Sequence, residues 1–321
     1  MINKRHLSIL DEIKKSGGDL DMGKPNDSVL LIDGMNLFIR VFSAIPTTNE
    51  DGVHVGGIVG FLRSLAFSIN MIRPTRTIVV FDGKGGSNRR RKIFPQYKMG
   101  RKMSYRLNRA NNYLTREEEQ KMMIRQLNRV VEYLECLPVS IMNMENCEAD
   151  DVIGYLSKHI YKNNKTTIVS TDKDFLQLVD ENTQLYSPTK KKMYDEEKVF
   201  EEYGIHPKNF LLFRMFDGDK SDGIPNVLSP DHTFTDELRQ RPLTSKKINS
   251  IMAQDFDDLN DELKRNYQRN DALINLDNIP EELEQSILDD FKGATCGDRS
   301  KLLDYFMDKR LKTLTEQIGE F

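Results

Sequence analysis

The fold class predicted by this sequence is α/β, a central and mostly parallel sheet flanked by helices. Three observations predict it. Short runs rich in Val and Ile recur through the first two thirds of the chain, and each leads into acidic residues. These runs are apolar on both faces, as buried parallel strands are, rather than alternating. Between them lie segments of helical periodicity, and alternating strands and helices imply right-handed crossovers in one sheet.

Taken in order, "SVLLID" (28–33) predicts a first strand running into Asp33, and "GGIVGFLRSLAFSINMI" (56–72) predicts a helix. "TRTIVVFD" predicts a second strand running into Asp82. "LTREEEQKMMIRQLNRVVEYLECL" (114–137) predicts a long helix opening with Thr115 and Glu118 at capping-box spacing. "LPVSIMN" predicts a third strand leading through a turn to "NCEADDVIGYL", and "TTIVSTDKD" predicts a fourth that reaches Asp172 and Asp174. Residues 1–27 read as peripheral: "HLSILDEIKK" suits a short amphipathic helix and "SGGDLDMGKPND" a linker.

Composition narrows the chemistry. A chain of 321 residues, 38% hydrophobic and 30% charged, suits a globular protein with a substantial core. No apolar run reaches the ~18 residues of a membrane span, and the start lacks a signal peptide's apolar stretch. Cys136, Cys147 and Cys296 form no CxxC pair, which suggests reduced thiols in a cytoplasm, and the five histidines make no zinc pattern. Any metal would therefore be held by carboxylate oxygens. The net charge of −3 conceals an asymmetry: Lys84 to Ala110 holds ten Lys or Arg and no acid. Such a block is either a solvated surface or the footprint of a nucleic-acid backbone contact. Its Phe94, Tyr97 and Tyr105 either stack on bases or anchor the segment to the core.

Glu148, Asp150 and Asp151 crowd one helical turn in "CEADD". Acids favour helix N-termini, so capping alone would account for them. Ligands in open parallel sheets, however, bind beyond the carboxyl ends of the strands. Asp33, Asp82, the Glu148–Asp151 cluster, Asp172 and Asp174 should all converge there. Asp217, Asp219 and Asp222 of "FDGDKSDGIPN" either add a fifth element or form an ordinary Asp/Gly turn. So many carboxylates in one place repel unless protonated or interleaved with cations. An all-oxygen cage suits Mg²⁺ or Mn²⁺. Beside a phosphate-capturing basic segment, this pattern points to metal-assisted hydrolysis of a phosphodiester.

The ordered motifs "LIDGMN", "VVFDG", "RRRKIFPQYKMGRK", "CEADD", "STDKD" and "GDKSDGIPN" resemble the 5′ nuclease (flap endonuclease) superfamily, which has a PIN-like core. Within it, "NLDNIPEELEQSILDDF" and the terminal "EQIGEF" are similar to the T-even-type phage exonuclease branch called ribonuclease H. The resemblance implies a basic helical arch over about 84–115, a nuclease core over 28–225 and a helical duplex-binding region over 226–321. It implies two Mg²⁺ ions, with Mn²⁺ able to substitute. Asp33, Asp82, Glu148 and Asp150 would serve the first ion, and Asp151 would act through water. Asp172 would stand between the ions, and Asp174, Asp219 and Asp222 would serve the second. Lys98 and Arg101 of the arch would grip the scissile phosphate and, with Asp150, be catalytic. Arg89, Arg90, Arg91, Lys92, Tyr97 and Lys102 would contact nucleic acid.

The stretch "IPNVLSPDHTFTDELRQRPLTSKKINSIM" lacks the family's glycine-rich duplex-binding hairpin, so Lys246 and Lys247 are the residues expected to meet phosphates there, without bound potassium. Being basic and acid-free, residues ~88–110 are expected to order only on nucleic acid. The implied activity is 5′→3′ exonuclease and flap endonuclease action on RNA/DNA and DNA/DNA duplexes with free or flapped 5′ ends. The implied role is primer removal in phage replication, by a monomer in the cytoplasm of the infected bacterial host. Sliding clamp and single-strand-binding protein are the partners the family suggests. Rival readings are another PIN-like ribonuclease, a haloacid-type phosphatase, disfavoured because "LIDGMN" lacks DxD, and a binding module without chemistry.

Overall fold

A computed structural model describes residues 28–99, 115–252, 258–297 and 302–308. The peripheral segment 1–27, the arch residues Arg101, Lys102 and Tyr105, and "EQIGEF" lie outside these residues.

Strand β1 (Ser28–Asp33) runs through the middle of a six-stranded sheet with β2 (Arg76–Phe81), β3 (Ser140–Asn143), β4 (Lys165–Val169), β5 (Thr183–Ser187) and β6 (Lys192–Tyr194). The order is β3-β2-β1-β4-β5-β6. The first five strands are parallel, and β6 pairs antiparallel with β5 at the edge. Side chains alternate across a strand, so one apolar run feeds two cores. Val29 and Leu31 join Ile78, Val80 and Ile168 on one face. Leu30 and Ile32 join Val79, Phe81 and Val169 on the other.

Helices α1 (Gly34–Ala44), α2 (Gly56–Ile72) and α4 (Arg116–Leu134) cover the second face through Phe38, Phe61, Val130 and Tyr133. The short α3 (Asn88–Ile93) lies before α4, within the basic segment. Helices α5 (Ala149–Tyr155), α6 (Glu196–Tyr203) and α7 (Pro207–Asp217) cover the first face through Ile153, Val199 and Phe210. Thr115 and Glu118 form the expected capping box on α4. The hairpin β5–β6 has no counterpart in the sequence reading, because its strands are short and polar at alternate positions.

Beyond Asp217 follow α8 (Ser245–Met252), α9 (Asp261–Ile274), α10 (Glu281–Gly293) and α11 (Leu302–Asp308). Buried amides tie α9 to the loop after α7. The Nδ2 of Asn270 donates to the carbonyls of Met215 (2.7 Å) and Pro225 (3.1 Å), and that of Asn266 donates to Val227 (2.9 Å). Polar groups this buried hold position only when satisfied, so the loop carrying Asp219 and Asp222 is fixed from behind.

Gly83, just after β2, lets the chain pass the turn that leads to Glu148. A Cβ there would stand 1.5 Å from the Met144 carbonyl oxygen. Gly83→Ala is expected to cost roughly 2–4 kcal/mol by forcing these two backbones apart. Urea unfolding with an unchanged midpoint would refute this.

Candidate active site and nucleic-acid interface

Beyond β1 the sheet order reverses direction, since β2 and β3 lie on one side and β4 and β5 on the other. Crevices form at such switch points, and the acids gather here. Asp33 ends β1 and caps α1, accepting from the Asn36 amide (3.0 Å) and from the Ser170 hydroxyl beyond β4 (3.0 Å). The Asn36 side-chain oxygen accepts from the Thr171 amide and hydroxyl. Asp172 accepts from the Asp174 amide (2.9 Å), and its own amide donates to Ser170 Oγ. Asp82, after β2, accepts from the Ala149 amide at the start of α5 (2.8 Å).

That last bond answers the question of capping. Glu148 occupies the N-cap position of α5 yet makes no capping hydrogen bond; Asp82 supplies it from another strand. The carboxylates of "CEADD" face cations instead. Arg90 is 2% exposed, and its guanidinium reaches Glu148 and both oxygens of Asp151 (2.8 and 3.0 Å) while Nε donates to the Leu273 carbonyl (2.9 Å). Arg89 adds a second donor to Asp151 (2.8 Å). Glu148 also accepts from Ser87 (3.0 Å), Tyr97 (3.1 Å) and Lys98.

Two expected nucleic-acid contacts are thereby corrected. Arg90 and Tyr97 are each 2% exposed and can neither meet a phosphate nor stack on a base. Phe94 and Tyr97 pack with Ile224, Leu273 and Ile274. Of the two alternatives left by the sequence, Phe94 and Tyr97 are anchors. Of the segment 88–110, residues 100–110 lie outside the described residues. Arg91 and Lys92 stay exposed, and Arg89 remains partly so, around a cleft of about 500 Å³ shared with Asn88 and Asn146. Lys98 takes a left-handed backbone (φ 59°) and lies between Glu148 and Asp222, 3.8 Å from the latter. Lys246 and Lys247 are exposed on α8, which packs through Ile248 and Ile251.

Arg214, which sequence reasoning missed, is a second clamp. Its Nε donates to Asp174 (2.7 Å), one terminal nitrogen to Asp219 (2.6 Å) and the other to the Gly218 carbonyl (2.9 Å). Its place in the last turn of α7, four residues before Gly218, was the available signal. Asn36 and Ser170 were missed too, being small polar residues that nothing local marks.

The electrostatics divide the acids. Burial pushes Asp33 up to about 7, and repulsion from Asp82 and Asp172 adds to it against the Asn36 and Ser170 hydrogen bonds. Burial, then Asp172, raises Asp150 well above the ordinary carboxylate range. Asp172 is raised by burial and by Asp222 and Asp219, and Asp174 is pushed up to about 7 by burial and Asp172 despite Arg214. Burial would raise Glu148 as well, but Arg90 and Lys98 outweigh it and hold that carboxyl down to about 2. Arg214 likewise outweighs burial to lower Asp219.

Among the described residues, no three His, Cys, Asp or Glu side chains already stand as a metal-holding group. The donor set nevertheless fits a hard divalent cation. Asp33, Asp82, Asp150 and Asp172 offer only oxygens, and none has an ion-pair partner among the described residues. Each of the three that are shifted is raised in part by neighbouring carboxylates. Excess negative charge of this kind is what such an ion relieves. Glu148, Asp151, Asp174 and Asp219 already carry guanidinium or ammonium partners.

Comparison with known proteins agrees with this architecture. Residues 28–204 match the family described as 5′-3′ exonuclease, N-terminal resolvase-like domain, and residues 206–321 match the one described as T4 RNase H, C terminal. The chain belongs to the 5′-3′ exonuclease family. It is 31% identical over 202 residues to a 5′-3′ exonuclease of Aquifex aeolicus, covering 62% of this chain and 64% of that protein. It is 29% identical over 305 residues to DNA polymerase I of Bacillus subtilis, covering 91% of this chain but only 32% of the polymerase. The chain thus spans less than two thirds of either relative. In fold it is similar to the bacteriophage T5 D15 protein co-crystallised with metal ions, with a TM-score of 0.59 at 18% identity over 83% of this chain and 98% of that one. No described helix is long and apolar enough to cross a membrane.

Two predictions follow from the charge arrangement. Arg90→Met leaves Glu148 and Asp151 buried with less compensation and should cost roughly 3–5 kcal/mol in urea unfolding; a loss under about 1 kcal/mol would sink the clamp. The second concerns pH. Asp33 and Asp174 lose their protons near 3.8 when unfolded but only at about 7 when folded. Metal-free stability should therefore fall as pH rises through that window. Adding Mg²⁺ at about 100 times its Kd should restore roughly 2.7 kcal/mol at the alkaline end and much less at the acid end. Thermal melts with a flat pH profile and no Mg²⁺ response would contradict this.

Proposed function

We propose that the chain is a Mg²⁺-dependent 5′→3′ exonuclease and flap endonuclease that hydrolyses phosphodiesters in DNA/DNA and RNA/DNA duplexes with free or flapped 5′ ends. One observation carries the reading. Aspartates from four separate stretches of sequence converge at the switch point of the sheet, directly beside a basic segment that is free of acids.

In this reading Asp33, Asp82, Asp150 and Glu148 would serve the first of two Mg²⁺ ions, for which Mn²⁺ substitutes, with Asp151 acting through water. Asp172 would stand between the ions, and Asp174, Asp219 and Asp222 would serve the second. Bound ions supply water activation and neutralisation of the reacting phosphate. The chain's own residues do the rest. Arg91 and Lys92 attract the backbone of the 5′ strand, and Arg89 extends the same track. Lys98, within reach of both Glu148 and Asp222, exchanges those partners for the scissile phosphate and offsets the charge that develops there. Arg101 would orient that phosphate, and Lys102 would contact the nucleic acid. Lys246 and Lys247 hold duplex backbone. Arg90 and Arg214 keep Glu148, Asp151, Asp174 and Asp219 in place while the strand is bound.

The role that goes with this activity is removal of RNA primers during phage DNA replication, by a monomer in the cytoplasm of the infected bacterial host. A sliding clamp or single-strand-binding protein would recruit it.

The test is cleavage of a 5′-labelled flap duplex with and without Mg²⁺. The parent should release short 5′ products only with Mg²⁺. Asp150→Asn should still bind the flap but lose at least ~10²-fold in rate, and Lys98→Ala should lose a similar factor with binding changed little. Binding by the parent without any cleavage, in Mg²⁺ or Mn²⁺, would return the chain to a non-catalytic binding module.

A further inference from the structure

Helix α5 does not end simply. It passes into a π-helical turn, Leu156–Ile160, closed by the Tyr161 amide on the Leu156 carbonyl (2.8 Å). Such turns insert a residue that re-aims its neighbours and often mark functional positions. Here Lys158 and His159 both reach the same carboxylate, Asp277, at 3.3 and 3.1 Å. Together with Lys162 and Lys208 they rim a cavity of about 530 Å³, a size usual for ligand sites. Leu178 and Val179, 3% and 4% exposed, line it with Pro207 and Leu211.

The two acids of this cavity are committed. Asp277 faces Lys158 and His159, and Asp180 accepts from the Asn182 and Thr183 amides (2.8 and 2.7 Å). Lys162 and Lys208 are exposed and have no ion-pair partner among the described residues. The cavity is therefore a cationic rim over an apolar lining.

Its place in the fold separates it from the carboxylate site. The π turn precedes β4 and Asp180 precedes β5, so both lie at the amino edge of the sheet. The aspartates end their strands at the carboxyl edge, and the short 3₁₀ helix Lys173–Leu178 connects Asp174 to the Leu178 and Val179 that line the cavity.

We propose that this cavity binds an acidic peptide segment of a partner protein, its carboxylates on Lys162 and Lys208 and an apolar side chain against Leu178 and Leu211. A nucleic-acid strand suits it less well. Single-stranded sites use aromatic platforms for the bases, and no Phe, Tyr or Trp lines this cavity. The proposal is independent of the hydrolytic reading.

The experiment is fluorescence polarisation with the full chain and a short labelled peptide of Asp and Glu residues carrying two leucines. A leucine-to-serine version and labelled single- and double-stranded DNA serve as the other probes. The parent should bind the leucine peptide more tightly than the serine version. The double variant Lys162→Glu with Lys208→Glu should weaken peptide binding about tenfold or more while flap-DNA affinity and cleavage stay unchanged. A normal thermal melt of the variant shows that it is folded, and Lys162→Arg with Lys208→Arg should restore peptide binding. Absence of peptide binding by the parent, or equal binding by the charge-reversed variant, overturns the proposal. Loss of DNA rather than peptide affinity also overturns it, and makes the cavity a nucleic-acid contact.

Discussion

The buried guanidinium of Arg90 is the interaction on which the rest of this site depends. A sheet edge that collects carboxylates from several strands cannot fold around them unless some of that charge is cancelled inside the protein. Arg90 does this for Glu148 and Asp151 at once, with the planar, permanently charged fork that lysine lacks. It also donates to the Leu273 carbonyl, so the same side chain draws α9 onto the α/β core. Electrostatic compensation and the docking of α9 thus share one side chain.

Arg214 repeats the device on the other side of the crevice. Between the two clamps lie Asp33, Asp82, Asp150 and Asp172, which receive hydrogen bonds or mutual repulsion but no ion-pair partner among the described residues. The result is a graded site. Outer carboxylates are fixed by arginine, whereas burial and neighbouring carboxylates raise Asp33, Asp150 and Asp172, which favours a proton or a hard cation there. Such crowding is tolerated because the strands beneath are rigid and buried on both faces.

The basic segment serves two purposes that its composition does not distinguish. Arg90, Phe94 and Tyr97 turn inward and form the floor beside Glu148. Arg91 and Lys92 remain on the surface, and Lys98 lies between the two sets. A helical turn separates neighbouring residues by about 100°, so adjacent arginines in "RRRK" meet entirely different surroundings. Charge counting sees one patch where the fold has made a clamp and a rim.

By itself the sequence determined the four-stranded parallel part of the sheet, because strands buried on both faces that alternate with helical segments pack as a parallel layer between helices. It also determined that Asp33, Asp82, Glu148 and Asp172 would share one edge, since every parallel strand delivers its carboxyl end to the same side. Only the tertiary structure decided which of those acids are paired. Arg214 reaches Asp174 across 40 residues and Arg90 reaches Asp151 across 61, and no local pattern encodes contacts of that span. The turn that places Lys158 and His159 on Asp277, 119 and 118 residues away in sequence, was hidden for the same reason. Its geometry is set by what packs against it, not by the residues on either side.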